Sequence, residues 1–138
     1  MAGNDELVRL TAREAVRLLS RGEVSPLELI DAAAERIAAV EPAVNALPTL
    51  CLERAREAAR RLPATPPDGG RGWLAGLPIA IKDLMDIKGV PTGGGARVPL
   101  DPDPARHAIV VQRLLQALFP PGRKLSKNPC DYFSLSCY

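Results

Sequence analysis

The chain has 138 residues, enough for one modest domain. Its 18 Lys and Arg residues against 16 Asp and Glu give a net charge of +2, which is too balanced to indicate a nucleic-acid or anionic-membrane partner. No apolar run approaches the roughly 20 residues that cross a bilayer, and the polar, acidic start lacks the pattern of a signal peptide.

Cysteine and histidine are too few and too scattered for a metal site. Cys51, Cys130 and Cys137 form no spacing pattern, and they indicate reduced thiols in a cytoplasmic protein rather than a disulfide framework. His107 is the only histidine, so no Cys/His cluster with metal-ligand spacing exists. We therefore expect no metal centre.

The first 42 residues read as a helical hairpin. Thr11-Ala-Arg-Glu14 has the form of a capping box, and Gly22 would end the helix that follows. Ser25-Pro26 repeats the start signal, with serine as N-cap and proline at the first helical position. Pro42 is expected to close this second helix, and the hairpin is expected to serve packing rather than chemistry.

The next segments alternate between strand and helix patterns. Val44–Leu50 could be a short strand, which Pro48 restricts to an edge or an irregular segment. Glu53–Leu62 is predicted to be a third helix with its alanines on one side, and Pro63–Gly72 a solvent loop. Leu77–Ile81 is predicted to be a buried strand, although so short an apolar run does not exclude a helix.

A glycine-rich loop at 89–95 precedes a fourth predicted helix. The loop is not a phosphate loop, because no lysine and Ser/Thr follow the glycines in the required order. The helix would start at Asp103-Pro104, with His107 as an exposed structural histidine in its first turn. Its buried stripe would be formed by Val111, Leu114, Leu115 and Leu118.

Lys82 directly follows the predicted strand, and two interpretations of it are open. Burial disfavours the charged form of a lysine and lowers its pKa, so a sheltered lysine here could be a neutral amine and a general base. Alternatively, Lys82 lies at a strand end and extends its amine to water, as most lysines beside apolar runs do.

Composition changes after residue 117. The segment from Leu118 to Tyr138 contains no alanine, valine, isoleucine or glutamate, yet it holds four of the five aromatic residues. It could be a coil tail on a complete small protein. It could also be foreign to the parent sequence, as after a frameshift or truncation. We expect a domain over 1–117 and a divergent, disordered tail over 118–138.

The motif Gly-Leu-Pro-Ile-Ala-Ile-Lys-Asp at 76–83, followed by Asp-Ile-Lys-Gly-Val-Pro-Thr at 86–92, closely resembles the lysine-bearing segment of the amidase signature family. The helical hairpin resembles the opening helices of that family, and Val44-Asn45-Ala46 resembles its Asn-Ala segment. Residues 110–115 resemble the helix that comes after the lysine. The resemblance covers roughly Leu7 to Ala117.

This resemblance implies an α/β fold, a mixed sheet flanked by helices, of which only the N-terminal helices and first strands are present. It also implies a Ser-Ser-Lys triad that hydrolyses carbon–nitrogen amide bonds without a metal or organic cofactor. Lys82 would be the base, acting through a bridging serine on the nucleophilic serine. The implied ligand of the full-length parent is a small-molecule amide, with no nucleic acid and no membrane as partner.

The departures from the family pattern concern the serines. The family carries both triad serines in a Gly/Ser-rich segment, which this chain lacks; its five serines are Ser20, Ser25, Ser126, Ser134 and Ser136. We therefore expect an incomplete amidase fragment that is marginally stable and inactive alone, with Lys82 as its one identifiable catalytic residue and Asp83 shaping the turn.

The alternative is a small non-catalytic interaction module, or a subunit fragment of a complex like the tRNA-dependent amidotransferases. The Lys82-Asp83-Leu84 sequence fits the general amidases better, because that subunit usually has asparagine after the aspartate.

Overall fold

The computed structural model describes residues 4–62, 72–96, 98, 100–118 and 136–137. In these residues short strands alternate with helices along the chain. The elements are α1 (Asn4–Leu7), α2 (Ala12–Arg21), α3 (Pro26–Val44), β1 (Thr49–Leu50), α4 (Leu52–Arg60), β2 (Ala80–Ile81), α5 (Ile109–Leu118) and β3 (Ser136–Cys137).

Capping boxes start both long amino-terminal helices, as the sequence predicts. The Thr11 hydroxyl accepts the Glu14 N–H at 3.3 Å, and the Glu14 carboxylate accepts the Thr11 N–H at 2.8 Å. Ser25 and Glu28 repeat this exchange at 3.2 and 2.8 Å, and these hydrogen bonds lower the pKa of Glu28. Gly22 ends α2 in the left-handed conformation with φ 67°.

The predicted end of α3 at Pro42 is wrong. The helix runs two residues further, to Val44, and ends at Asn45 with φ 50°, where the Asn45 N–H donates to the Glu41 carbonyl at 2.7 Å. Proline in the last turn removes only one N–H from the helix, and asparagine tolerates the left-handed conformation that ends it. The Glu41 carboxylate then accepts the Leu47 N–H at 2.5 Å and fixes the chain leaving the helix.

Two groups of buried apolar side chains form the core. The hairpin core lies among α1, α2 and α3, and the main core lies beneath α3, α4, α5 and the residues around β2. The hairpin core contains Leu7, Ala15, Leu19, Val24, Leu29, Ala32 and Ala75. The main core contains Ile30, Cys51, Ala55, Ala58, Ala59, Ile81, Ile87, Val90, Val111, Leu115 and Leu118. Helix α3 contributes to both groups and therefore joins them.

Helix α4 confirms the predicted alanine face. Ala55, Ala58 and Ala59 are buried, and their small side chains allow a close approach of α4 to α3. Arg56 spans the two helices with a 2.8 Å ion pair to Asp31 of α3. Because this pair is partly solvated, burial of the alanines is the stronger reason that α4 packs here.

The strands form a small mixed sheet in the order β1-β3-β2. Strand β3 pairs antiparallel with β1, setting Thr49 opposite Cys137, and parallel with β2, setting Ile81 opposite the same cysteine. Strand β1 is at an edge, as Pro48 predicts, although it is shorter than the predicted Val44–Leu50. The predicted strand at 77–81 likewise forms only at Ala80–Ile81. Helices beside a small mixed sheet are compatible with part of an α/β fold.

Several predicted segments lie outside the described residues. These include most of the loop at 63–72 and most of the tail at 118–138, with Ser126, Ser134 and Cys130. Within the tail, Leu118 is the last residue of α5, and Ser136–Cys137 form β3. The domain boundary at residue 117 and the disordered tail stay predictions.

The predicted start of the fourth helix at Asp103-Pro104 is wrong, because α5 begins at Ile109. The residues before it bond to a distant turn instead of to a helix. The Pro104 carbonyl accepts the Gly89 N–H at 3.2 Å, and the Ala108 N–H donates to the Asp86 carbonyl at 2.9 Å. Val111, Leu115 and Leu118 are buried and Leu114 is half-buried, so the predicted apolar stripe is confirmed.

His107 lies before α5 rather than in its first turn, and it is half-buried rather than exposed. Its Nδ1 accepts the Lys88 backbone N–H at 3.2 Å, which joins the segment before α5 to the turn at 86–89. Burial, with smaller contributions from the Lys88 and Arg54 cations, lowers the pKa of His107 below its ordinary value of 6.5. Asp86 belongs to the same turn, and its backbone carbonyl accepts the Ala108 N–H.

Substituting Ser25→Ala should lower the free energy of unfolding by about 1 kcal/mol, because the first turn of α3 loses its capping hydroxyl. Urea unfolding followed by circular dichroism measures the change. The matched control is Ser20→Ala, which alters an exposed serine inside α2 and should be nearly neutral. Equal effects of the two substitutions would contradict the capping role.

Stability should also depend on the protonation of His107. Since its folded pKa is lowered, the neutral form is favoured by folding; the stabilisation is complete above the ordinary value of 6.5 and is lost as pH falls through the folded value. The chain has one histidine, so His107→Asn should flatten the decline in urea midpoint between about pH 7.5 and pH 5.5. An unchanged decline in the variant would show that another group is responsible.

Candidate functional site: a lysine cleft

Lys82 directly follows β2 and lines a cleft of about 570 Å³. On one side the cleft is bounded by the segment between α3 and β1, and on the other by the glycine loop at 93–96. The lining residues are Asn45, Pro48, Thr49, Lys82, Asp83, Leu84, Pro91, Gly93, Gly94, Gly95 and Ala96. The cleft therefore combines a cation, backbone groups of glycine and apolar side chains.

The structure corrects the expectation of a sheltered lysine. Ile81, which precedes Lys82, is 3% exposed and belongs to the main core, whereas Lys82 itself is an exposed residue. The buried position and the exposed one alternate at the end of β2, as side chains do along a strand. The alternative interpretation, a lysine at a strand end with an exposed side chain, agrees with this position.

Asp83 holds the glycine loop against the lysine segment. Its carboxylate accepts the Gly93 N–H at 2.6 Å, and its backbone carbonyl accepts the Gly94 N–H at 2.8 Å. A Cβ atom at Gly93 would lie 2.5 Å from the Asp83 Oδ2, so only glycine fits there. The structural role that the sequence suggests for Asp83 thus extends from a local turn to a loop ten residues away.

Thr92 and Asp86 anchor the same loop from below, and sequence reasoning missed this pair. The Thr92 hydroxyl is buried and donates to the Asp86 carboxylate at 3.0 Å. The Thr92 N–H donates to the Asp101 carbonyl at 2.8 Å, and its carbonyl accepts the Leu100 N–H at 2.7 Å. A threonine within a run of glycines and apolar residues was the signal for it, since a buried hydroxyl needs a partner.

Serine is missing from the cleft lining in the described part of the chain. The hydroxyl side chain among the lining residues is that of Thr49. Ser25 caps α3 and Ser20 is an exposed residue of α2, so neither joins the site. Ser136 belongs to β3. The geometry thus brings Lys82 and Asp83 together with a glycine loop but adds no serine to them.

Within residues 4–62, 72–96, 98, 100–118 and 136–137, no group of three or more His, Cys, Asp and Glu residues is arranged to hold a metal ion. The helices in the same residues are all too short or too polar to cross a membrane.

The family model named Amidase matches residues 28–122, which include the lysine segment, the glycine loop and α5. The chain belongs to the amidase signature family. The resemblance seen in the sequence is thereby confirmed.

Several curated relatives are each named as one of the subunits of glutamyl-tRNA(Gln) amidotransferase. The protein of Roseiflexus castenholzii is 37% identical over 129 residues, which are 94% of this chain and 26% of that protein. The protein of Anaeromyxobacter dehalogenans is 40% identical over 110 residues, 79% of this chain and 22% of that protein. The chain therefore spans about a quarter of the length of these relatives.

The fold is also similar to that of a solved structure described as "An unexpected vestigial protein complex reveals the evolutionary origins of an s-triazine catabolic enzyme". The TM-score is 0.66 at 30% identity, over 80% of this chain and 25% of that one. A second structure with the same description, an inhibitor-bound complex, gives a TM-score of 0.65 at 28% identity. Since the curated relatives are named for a tRNA, they give no support to the expectation that nucleic acid is excluded as a partner.

Asp83→Ala should lower the free energy of unfolding by about 1.5 kcal/mol, because a charge-assisted hydrogen bond to a backbone N–H is lost. Gly93→Ala should destabilise the chain by a similar amount through its contact with the same carboxylate. In the double variant the second change should cost much less, since the clashing oxygen is gone. Urea unfolding of all four proteins measures this coupling; strictly additive effects would contradict the contact.

Proposed function

We propose that this chain is the lysine-bearing part of an amidase-type hydrolase of carbon–nitrogen amide bonds, with Lys82 as the general base. The observation that carries the proposal is the position of Lys82. It opens onto the cleft from the end of β2, opposite a fixed glycine loop, inside the segment that matches the family. The ligand of such an enzyme is a small-molecule amide.

The chemistry requires partners that the described residues do not supply. A serine hydroxyl is a weak nucleophile until a base removes its proton. In the proposed mechanism Lys82, in its neutral form, accepts a proton from a bridging serine, which in turn takes the proton of the nucleophilic serine. The alkoxide attacks the amide carbonyl, backbone N–H groups bind the oxyanion, and water later releases the acyl group.

The exposure of Lys82 is compatible with this role. A base must lie within about 3 Å of the hydroxyl that it deprotonates, so its amine has to be reachable by the segment that carries the serine. The amine is held on a strand end whose neighbour, Ile81, is fixed in the main core. The chain thus provides a positioned amine at an open cleft.

The 138-residue chain alone should not hydrolyse a simple aryl amide, because a base without its nucleophile activates nothing. Mixed with the complementary downstream part of the Anaeromyxobacter relative, which carries its own serine segment, it should gain hydrolysis. Lys82→Met should reduce that rate by about a thousandfold or more, as loss of a member of a cooperative triad does.

The matched control is Lys88→Met, a second lysine of the same segment that does not line the cleft. It should leave the rate within about threefold of the parent, since the Lys88 contact to His107 uses the backbone N–H. Robust hydrolysis by the unmixed chain, or equal rates for Lys82→Met and the parent in the mixture, would contradict the proposal.

The second candidate is a non-catalytic interaction module, or a subunit fragment of a complex like the tRNA-dependent amidotransferases. Exposed apolar side chains favour it, among them Val44 at 60% and Ile109 at 77% exposure, and so does the subunit name of the relatives. A module predicts a stoichiometric protein partner whose binding is indifferent to Lys82→Met. Analytical ultracentrifugation of the purified pair separates this candidate from the hydrolase.

A further inference from the structure

Two leucines at the mouth of the lysine cleft are unusually exposed. Leu84 is 59% and Leu100 is 68% exposed. They meet over Gly94, because a Cβ atom at Gly94 would lie 2.5 Å from the Leu100 Cδ1 and 3.4 Å from the Leu84 Cδ2. Leu84 and Gly94 both line the cleft. We call these three residues the apolar rim.

The apolar rim is fixed by backbone hydrogen bonds before any ligand arrives. The Gly94 N–H donates to the Asp83 carbonyl at 2.8 Å, and the Leu100 N–H donates to the Thr92 carbonyl at 2.7 Å. Thr92 is itself held by the Asp86 carboxylate. A preordered apolar surface loses little conformational entropy on binding, which favours affinity for a small ligand.

We propose that the apolar rim selects amides with an apolar substituent, which lies across Leu84 and Leu100 while the amide group is held beside Lys82. This inference rests on the proposed function and names the substrate class of the same cleft. The lysine donates to the amide carbonyl oxygen, and the leucines remove the substituent from water.

The size of the site favours a small molecule over a protein partner. The cleft volume of about 570 Å³ is within the usual range of small-molecule sites. Two leucines and a glycine cover far less than the roughly 800 Å² that each side of a stable protein interface buries. A polar amide would leave the exposed leucines in contact with water and gain nothing from them.

The test is an NMR titration of the ¹⁵N-labelled 138-residue chain with acetamide and with hexanamide. Each methylene that leaves water at a partly open surface should raise affinity roughly twofold, so hexanamide should bind about tenfold more tightly. The amide signals of Leu84, Gly94 and Leu100 should shift. Leu100→Ser and, separately, Leu84→Ser should each reduce the preference to about threefold or less.

Ile109→Ser is the matched control, because it removes an equally exposed apolar side chain that does not line the cleft, and the preference should survive. Equal affinities for the two amides, no shifts at the rim, or shifts that follow protein concentration without ligand would overturn the inference. The last result would mean that a second copy occupies the rim.

This outcome is separable from that of the hydrolase proposal. Lys82→Met should weaken both amides equally and leave their ratio unchanged. A lost ratio with intact Lys82-dependent hydrolysis refutes only the role of the rim, whereas a preserved ratio without such hydrolysis in the mixed system refutes the hydrolase.

Discussion

The cleft depends on the grip of Asp83 on the glycine loop. The carboxylate binds the Gly93 N–H while the backbone carbonyl of the same residue binds the Gly94 N–H. One residue therefore connects the end of β2 to the opposite wall of the cleft, and it is the residue that follows Lys82. Without this connection, the glycine-rich segment would have no fixed distance from the amine.

Elements set by local sequence were predictable. The capping boxes at Thr11 and Ser25 use partners three residues away, and the alanine face of α4 follows from helical spacing alone. For the same reason the lysine segment could be recognised from a continuous run of residues. Lys82 and Asp83 both stand out in the sequence, although their surroundings do not.

What sequence reasoning missed depends on contacts between distant residues. The segment from Pro104 to Ala108 follows a helix-start signal, but its backbone groups bond to the turn at 86–89 instead. His107 is half-buried because that turn packs against it. The exposure of Lys82 was equally hidden, since an apolar run shows that a strand is buried without showing which way the next side chain points.

Helix α3 places Leu29 in the hairpin core and the adjacent Ile30 in the main core, which also contains Ile81. A helix shared in this way cannot tilt to improve one set of contacts without loosening the other. The amino-terminal hairpin and the strand that carries the lysine therefore behave as one mechanical body. A force applied to the hairpin would be transmitted to the amine, although neither its helices nor their caps touch the cleft wall formed by the glycines.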